Sequence, residues 1–169
     1  MTVELRPQPL TRERFAPYGD VIEANAAKSV MNAARFDRFD GLCDVDVDGE
    51  VAVSIARCRS VTRLPYRIEF VERHPLGSQA FVPLGRARMI VVVAPPGESV
   101  TASDLRAFES NGRQGVNYRR GTWHMPLIAF EVGQEFLVID RAPGTANCDE
   151  HFLDDTVVLH GDRSGASGP

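Results

Sequence analysis

Three stretches of the sequence place ionisable side chains where the pattern otherwise reads as β-strand. The first is Glu72-Arg73-His74-Pro75-Leu76-Gly77-Ser78-Gln79. Side chains alternate between the two faces of a strand, so Glu72 and His74 share one side and Arg73 faces the other, while Gln79 opens the next strand. The second stretch runs from Gly115 to Pro126 and carries Tyr118, Arg119, Arg120 and His124. The third is Asp140-Arg141, at the end of an apolar run. His74 and His124 can titrate near neutral pH, and Glu72 can act as a base or orient one of them. His74, His124, Glu72 and Gln79 can also hold a divalent ion, since imidazole suits nickel or zinc, although the Gln79 amide oxygen is a weaker ligand than carboxylate. Arg120 or Arg141 can grip a carboxylate through paired, charge-assisted hydrogen bonds. Taken singly, each residue has a plainer explanation. A lone histidine in a β protein is more often structural, and an arginine is more often a surface residue.

The elements that must position these groups are mostly strands. Val51 to Cys58 alternates Val51, Val53 and Ile55 with small or polar residues, the period of a half-buried strand. Tyr66 to Val71, Gln79 to Leu84, Ala87 to Ala94, Leu127 to Glu131 and Glu135 to Asp140 follow as further strands. Met89-Ile90-Val91-Val92-Val93 is apolar on both faces and belongs in the centre of a sheet. Turn clusters such as His74-Pro75-Leu76-Gly77 and Ala94-Pro95-Pro96-Gly97 punctuate the runs. Two short helices are expected. One spans Thr11 to Ala16; the other begins at the capping-box pattern Thr101-Ala102-Ser103-Asp104 and runs through Leu105 and Phe108 to Asn111-Gly112. Many short strands with regular turns predict an all-β sandwich or barrel.

Length and composition bound the rest. The 169 residues fit one domain with one core. We expect that domain to cover 1–160, with the Gly/Ser-rich 161–169 as a disordered tail. A net charge of -4, spread through interleaved signs, argues against nucleic acid as a partner. No apolar run is long enough for a membrane span, and the start lacks a signal peptide's pattern, so a cytoplasmic location is expected. Three scattered cysteines, Cys43, Cys58 and Cys148, do not make a disulfide framework.

Together the three polar stretches resemble the motifs of the cupin superfamily, small β-barrels with a site in the barrel mouth. The usual first motif has His-x-His, four residues, then Glu. Here Glu72-x-His74, four residues and Gln79 take those places, and Gly85 follows. The usual second motif, Pro-x-Gly-x-x-His, is met by Arg119-Arg120-Gly121-Thr122-Trp123-His124 at the Gly and the His. Two of four usual metal ligands are thus kept, and two are replaced by Glu72 and Gln79. More narrowly, Glu-Arg-His-Pro-Leu-Gly-Ser-Gln-Ala-Phe-Val-Pro from Glu72, Gln-Gly-Val-Asn-Tyr from Gln114 and Leu-Val-Ile-Asp-Arg from Leu137 resemble the ureidoglycolate lyase family. Phe15 to Glu23 and Asn147-Cys148-Asp149 extend the likeness over nearly the whole chain.

The resemblance implies a cupin-like double-stranded β-helix barrel with a few short peripheral helices. It also implies a carbon–nitrogen lyase that splits ureidoglycolate into glyoxylate and urea during allantoin (purine) degradation. In that chemistry Glu72, His74 and His124 are the expected acid and base groups. Gln79 and Tyr118 face the ureido group, and Arg120 or Arg141 holds the carboxylate. The family is associated with nickel, which would sit on His74, His124, Glu72 and Gln79; the alternative is an ion-free acid–base site. No organic cofactor is expected, and a homodimer is. The competing readings are a non-catalytic cupin that binds or senses a small ligand, and an amidohydrolase that releases ammonia.

Overall fold

A computed structural model describes residues 1–25 and 29–161, so the expected tail, apart from Gly161, lies outside the described residues. In chain order the strands are β1 (Thr2–Leu5), β2 (Gln8–Pro9), β3 (Gly19–Ile22), β4 (Ser29–Met31), β5 (Phe36–Arg38), β6 (Val51–Arg57), β7 (Tyr66–Arg73), β8 (Gln79–Pro83), β9 (Ile90–Ala94), β10 (Arg106–Glu109), β11 (Gly115–Tyr118), β12 (Trp123–His124), β13 (Glu135–Arg141) and β14 (Asp149–Leu159). Seven of them form a curled sheet in the order β1-β14-β7-β12-β9-β10-β2. Five form a second sheet, β3-β11-β8-β13-β6, and β4 pairs with β5 as a hairpin. The fold is therefore mostly β and cupin-like, as expected. The barrel is not fully closed: among the described residues the two sheets form separate ladders.

The expected central strand is central. Every residue of β9 is buried because both of its faces meet a core. Val91 and Val93 pack toward the five-stranded sheet with Phe81, Val116, Phe136 and Val138. Ile90, Val92 and Ala94 join the other core, with Ile68, Leu105, Trp123 and Met125. The first helix is also present as α1 (Arg12–Phe15), with Thr11 as its N-cap accepting from the Arg14 N–H. It delivers Phe15 into an aromatic group with Tyr18, Phe108 and Tyr118. Just beyond, β3 lies so close to β11 that a Cβ on Gly19 would fall 1.9 Å from the Asn117 carbonyl oxygen. Only glycine fits there.

Three local expectations are corrected. The capping box at Thr101 forms, but it caps a single 3-10 turn, Ala102–Asp104, and Leu105 is already extended. Arg106–Glu109 then pairs antiparallel with β9, which needs a partner on that side. A buried ladder outweighs a weak helical preference. Leu127 to Glu131 is irregular rather than a strand. Pro126 removes a backbone donor at its start, and the segment is held by side-chain burial of Ile128 and Ala129 and by the Thr62 N–H donating to the Ala129 carbonyl at 2.8 Å. Finally, Val51, Val53 and Ile55 on β6 are 49%, 66% and 60% exposed, so their apolar face looks outward and not into the core. The sequence also hid β14, the longest strand, because Asp154 and Asp155 interrupt it where its pairing with β7 shifts register.

Candidate active site

The polar stretches meet where the two sheets face each other. On β7, Glu72 lies directly opposite His124 of β12 on one side and Glu150 of β14 on the other. His74 follows two residues after Glu72, just past the end of β7. The ligand atoms of Glu72, His74 and His124 all lie within 4.8 Å of one another. The two imidazole rings are 5.1 Å apart, and His124 Nε2 is 3.4 Å from Glu72 Oε1. Across the gap, Tyr118 of β11 stacks against His124 at 4.3 Å with the rings 19° from parallel. Tyr118 thus forms the wall behind His124, and burial, aided by the charge of Glu72, pushes its phenol far up.

The backbone sets which nitrogen each histidine offers. His74 Nδ1 is 2.6 Å from the Asn147 carbonyl, and His124 Nδ1 is 2.9 Å from the Thr122 carbonyl. A carbonyl only accepts, so both Nδ1 atoms carry protons, and each ring in its neutral form presents an Nε2 lone pair. Both Nε2 atoms are buried and neither makes a well-formed hydrogen bond among the described residues, although that of His124 has Glu72 Oε1 at 3.4 Å. Buried polar atoms normally find a partner, so both Nε2 atoms remain available to one. Burial pushes the Glu72 carboxyl up, but His124, His74 and the Cys148 thiol together outweigh it and hold Glu72 below its usual value. Cys148 Sγ donates to Glu72 Oε2 at 3.7 Å, so the carboxylate divides its oxygens between the histidine and cysteine sides.

A cavity of about 350 Å³ opens beside this cluster, lined by His74, Gln79, Asp140, Arg141, Asn147 and Cys148 among others. Gln79, in register with Tyr118, points between the sheets. Its Nε2 donates to Asp140 Oδ2 at 3.2 Å, and its Oε1 is buried without a partner. Arg141 borders the same cavity, donating to the Asp48 carbonyl at 2.6 Å and to the Thr145 carbonyl and hydroxyl at 3.1 and 3.0 Å. All three acceptors are neutral, so its charge is not cancelled by direct pairing. Arg120 is placed differently. It is forked onto two carboxylates, Asp46 at 2.8 Å and Asp48 at 2.9 Å, and borders a loop rather than the cavity. Arg73 does face away from Glu72, lying over Trp123 and pairing with Glu98 and Asp149.

Glu72, His74, His124, Gln79, Tyr118 and Arg141 are therefore drawn to one place, and Arg120 is not. Sequence reasoning gave no role to Asn147, whose carbonyl fixes His74 and whose side-chain oxygen accepts the Leu76 N–H at 2.6 Å. It also gave none to Asp140. Both sit in recognised motifs, but the contacts span more than sixty residues and carry no local signature.

Fold and site together are those of a cupin-like protein whose imidazole pair, His124 buried and His74 half-buried, is completed by a carboxylate. The comparisons are narrower. The family model described as "Ureidoglycolate lyase" matches residues 2–160. Proteins called ureidoglycolate lyase are 45% identical to this chain in Pseudomonas syringae pv. tomato, over 90% of this chain and 91% of that protein. The corresponding protein of Azotobacter vinelandii is also 45% identical, over 90% and 95%. That of Pseudomonas entomophila is 44% identical, over 90% and 93%. The chain belongs to the ureidoglycolate lyase family. No helix among the described residues is long and apolar enough to cross a membrane.

Proposed function

We propose that this protein is a ureidoglycolate lyase, of the amidine-lyase type, that cleaves ureidoglycolate to glyoxylate and urea in purine catabolism. The reaction breaks one C–N bond at a carbon that also bears a hydroxyl and a carboxylate. A base takes the hydroxyl proton, the oxygen's electrons form the aldehyde carbonyl, and the C–N pair leaves with urea, which needs a proton on nitrogen. The observation that carries the reading is the pair of unpartnered Nε2 lone pairs of His74 and His124 beside Glu72, inside a family of this name. Three proton-handling atoms within 4.8 Å suit a one-carbon reaction. Arg141 is the better carboxylate anchor, since Arg120 is already neutralised by Asp46 and Asp48.

The same donor set fits a divalent ion. Two Nε2 atoms freed by backbone-held Nδ1 protons, with a carboxylate between them, are a common ligand arrangement, and His74, His124 and Glu72 would hold it, with Gln79 alongside. Bound there, nickel or a similar ion would lower the pKa of the carbinol hydroxyl. We read residues 1–160 as one catalytic domain of double-stranded β-helix type, working as a cytoplasmic homodimer that pairs through the exposed apolar face of β6.

The test is incubation of the purified protein with ureidoglycolate, with urea, ammonia and glyoxylate all quantified. Equal urea and glyoxylate above the spontaneous rate is the expected result. Stoichiometric ammonia in a urease-free preparation would overturn the lyase in favour of an amidohydrolase. No turnover with or without added metal would favour a binding protein.

A further inference from the structure

Gln79 presents a puzzle that the cleavage chemistry does not answer. Its amide carbonyl oxygen is buried and unpartnered, whereas its nitrogen is spent on Asp140. Asp140 shares the inward face of β13 with Phe136 and Val138, both buried. An ionised carboxylate accepts hydrogen bonds and cannot donate them. With Asp140 opposite, only the Gln79 NH₂ can face that way, so Oε1 is turned away from Asp140, at a residue that lines the cavity. We propose that Asp140 is a positioning residue that locks Gln79 as a reader of N–H donors, and that the two define the subsite for the ureido end of the substrate.

This rests on the proposed lyase reading and adds an orientation to it. The substrate has one end that only accepts hydrogen bonds, the carboxylate, and one rich in donors, the ureido NH and NH₂. A carboxylate set against Gln79 Oε1 and the Asp140 anion would meet two like-signed groups and gain nothing. Against Arg141, on the same cavity, it meets a cation whose protein partners are all neutral. Donor-rich nitrogen therefore belongs on the Gln79–Asp140 side, and the acidic end belongs on the Arg141 side. The carbon between them is brought to His74, which borders the cavity too. The same logic makes free urea a ligand of the first subsite and glyoxylate a ligand of the second.

Product inhibition separates the two ends. Urea, used below denaturing concentrations, and glyoxylate are each titrated into the assay with the parent, Asp140→Leu and Asp140→Asn proteins. Asp140→Leu removes the acceptor and keeps the branched shape. Inhibition by urea should weaken roughly two- to tenfold, the loss of one oriented neutral hydrogen bond to Gln79 Oε1. Inhibition by glyoxylate should be unchanged, KM should rise and kcat should hold. Asp140→Asn, which can still accept from Gln79 in one of its two orientations, should fall between. Parent-like urea inhibition in both variants would overturn the proposal. So would a parallel loss of glyoxylate inhibition, which would mean general damage to the cavity. If Asp140→Leu does not fold, Asp140→Asn decides alone by the same two readings. A parent protein that does not turn over ureidoglycolate fails the functional reading first, before any variant is compared.

Discussion

His124 has its Nδ1 proton on a backbone carbonyl and its ring against Tyr118, which makes it the most constrained of the proposed catalytic groups. Replacing it with Ala should lower turnover roughly 10²–10⁴-fold if it moves a proton at the reacting carbon. A purely structural histidine would instead lower thermal stability and leave the folded fraction active, so melting and kinetics on one preparation tell the two apart. The arginines offer a second contrast. Arg141→Lys keeps the charge but loses the planar fork, and glyoxylate affinity should fall; Arg120→Lys should leave it as in the parent. Isothermal titration with glyoxylate measures both, and the reverse order would return the clamp to Arg120. Much of this was legible beforehand because Glu72 and His74 are two apart on one strand and His124 completes a spaced motif. The choice between arginines was not, because it turns on Asp46 and Asp48, more than seventy residues from Arg120 and without any pattern of their own.

At the scale of elements, that same ion-pair fork becomes a fastening. The segment before β6 is stitched to the turn after β7 by the Ser78 N–H donating to the Asp46 carbonyl at 2.7 Å, and by the Asp48 N–H donating to that of Leu76 at 2.9 Å. Arg120 adds charge to the stitch. Its hydrogen bonds hold the Asp46 and Asp48 carboxyls below their usual 3.8. A depressed carboxyl pKa contributes stability above the unfolded value and loses it as pH falls through the folded one. The segment should therefore stay protected from amide exchange down to about pH 4 and loosen below it. In Arg120→Ala that acid step should vanish, because protection is already reduced at neutral pH; an unchanged step would place the titrating groups elsewhere. Strand content was readable from period and turns, but the 3-10 turn before β10 was not. Its capping box is genuine, and what ended the helix was the unpaired side of β9, a fact about the sheet and not about the segment.

For the whole molecule, the outward apolar row of β6 is the surface proposed for pairing. Val53 and Ile55 lie opposite Ile139 and Leu137 of β13, so the row is broad, and β6 ends its sheet with one ladder edge unpaired among the described residues. Exposed apolar surface of this kind, on a strand uncharged from Val51 to Ala56, suits a second copy, since like can approach like without repulsion. Light scattering should give twice the chain mass. Val53→Asp, which puts a charge into the middle of the apolar row, should halve it without unfolding the chain. A monomeric parent would sink the dimer and leave the row to another partner.

The thiol beside Glu72 gives the site a built-in clock. Cys148 is exposed, yet burial of its sulfur and the neighbouring Glu72 carboxylate push its pKa up to about 11. Alkylating reagents attack the thiolate, so at neutral pH this accessible cysteine should react slowly. Whatever draws the negative charge of Glu72 away from it, whether a bound cation or Glu72→Gln, should release the brake and quicken labelling. Mass spectrometry of iodoacetamide adducts over time would therefore report the electrostatic state of the Glu72 carboxylate without any turnover. Equal rates in the parent and Glu72→Gln would mean that the sulfur does not sense it.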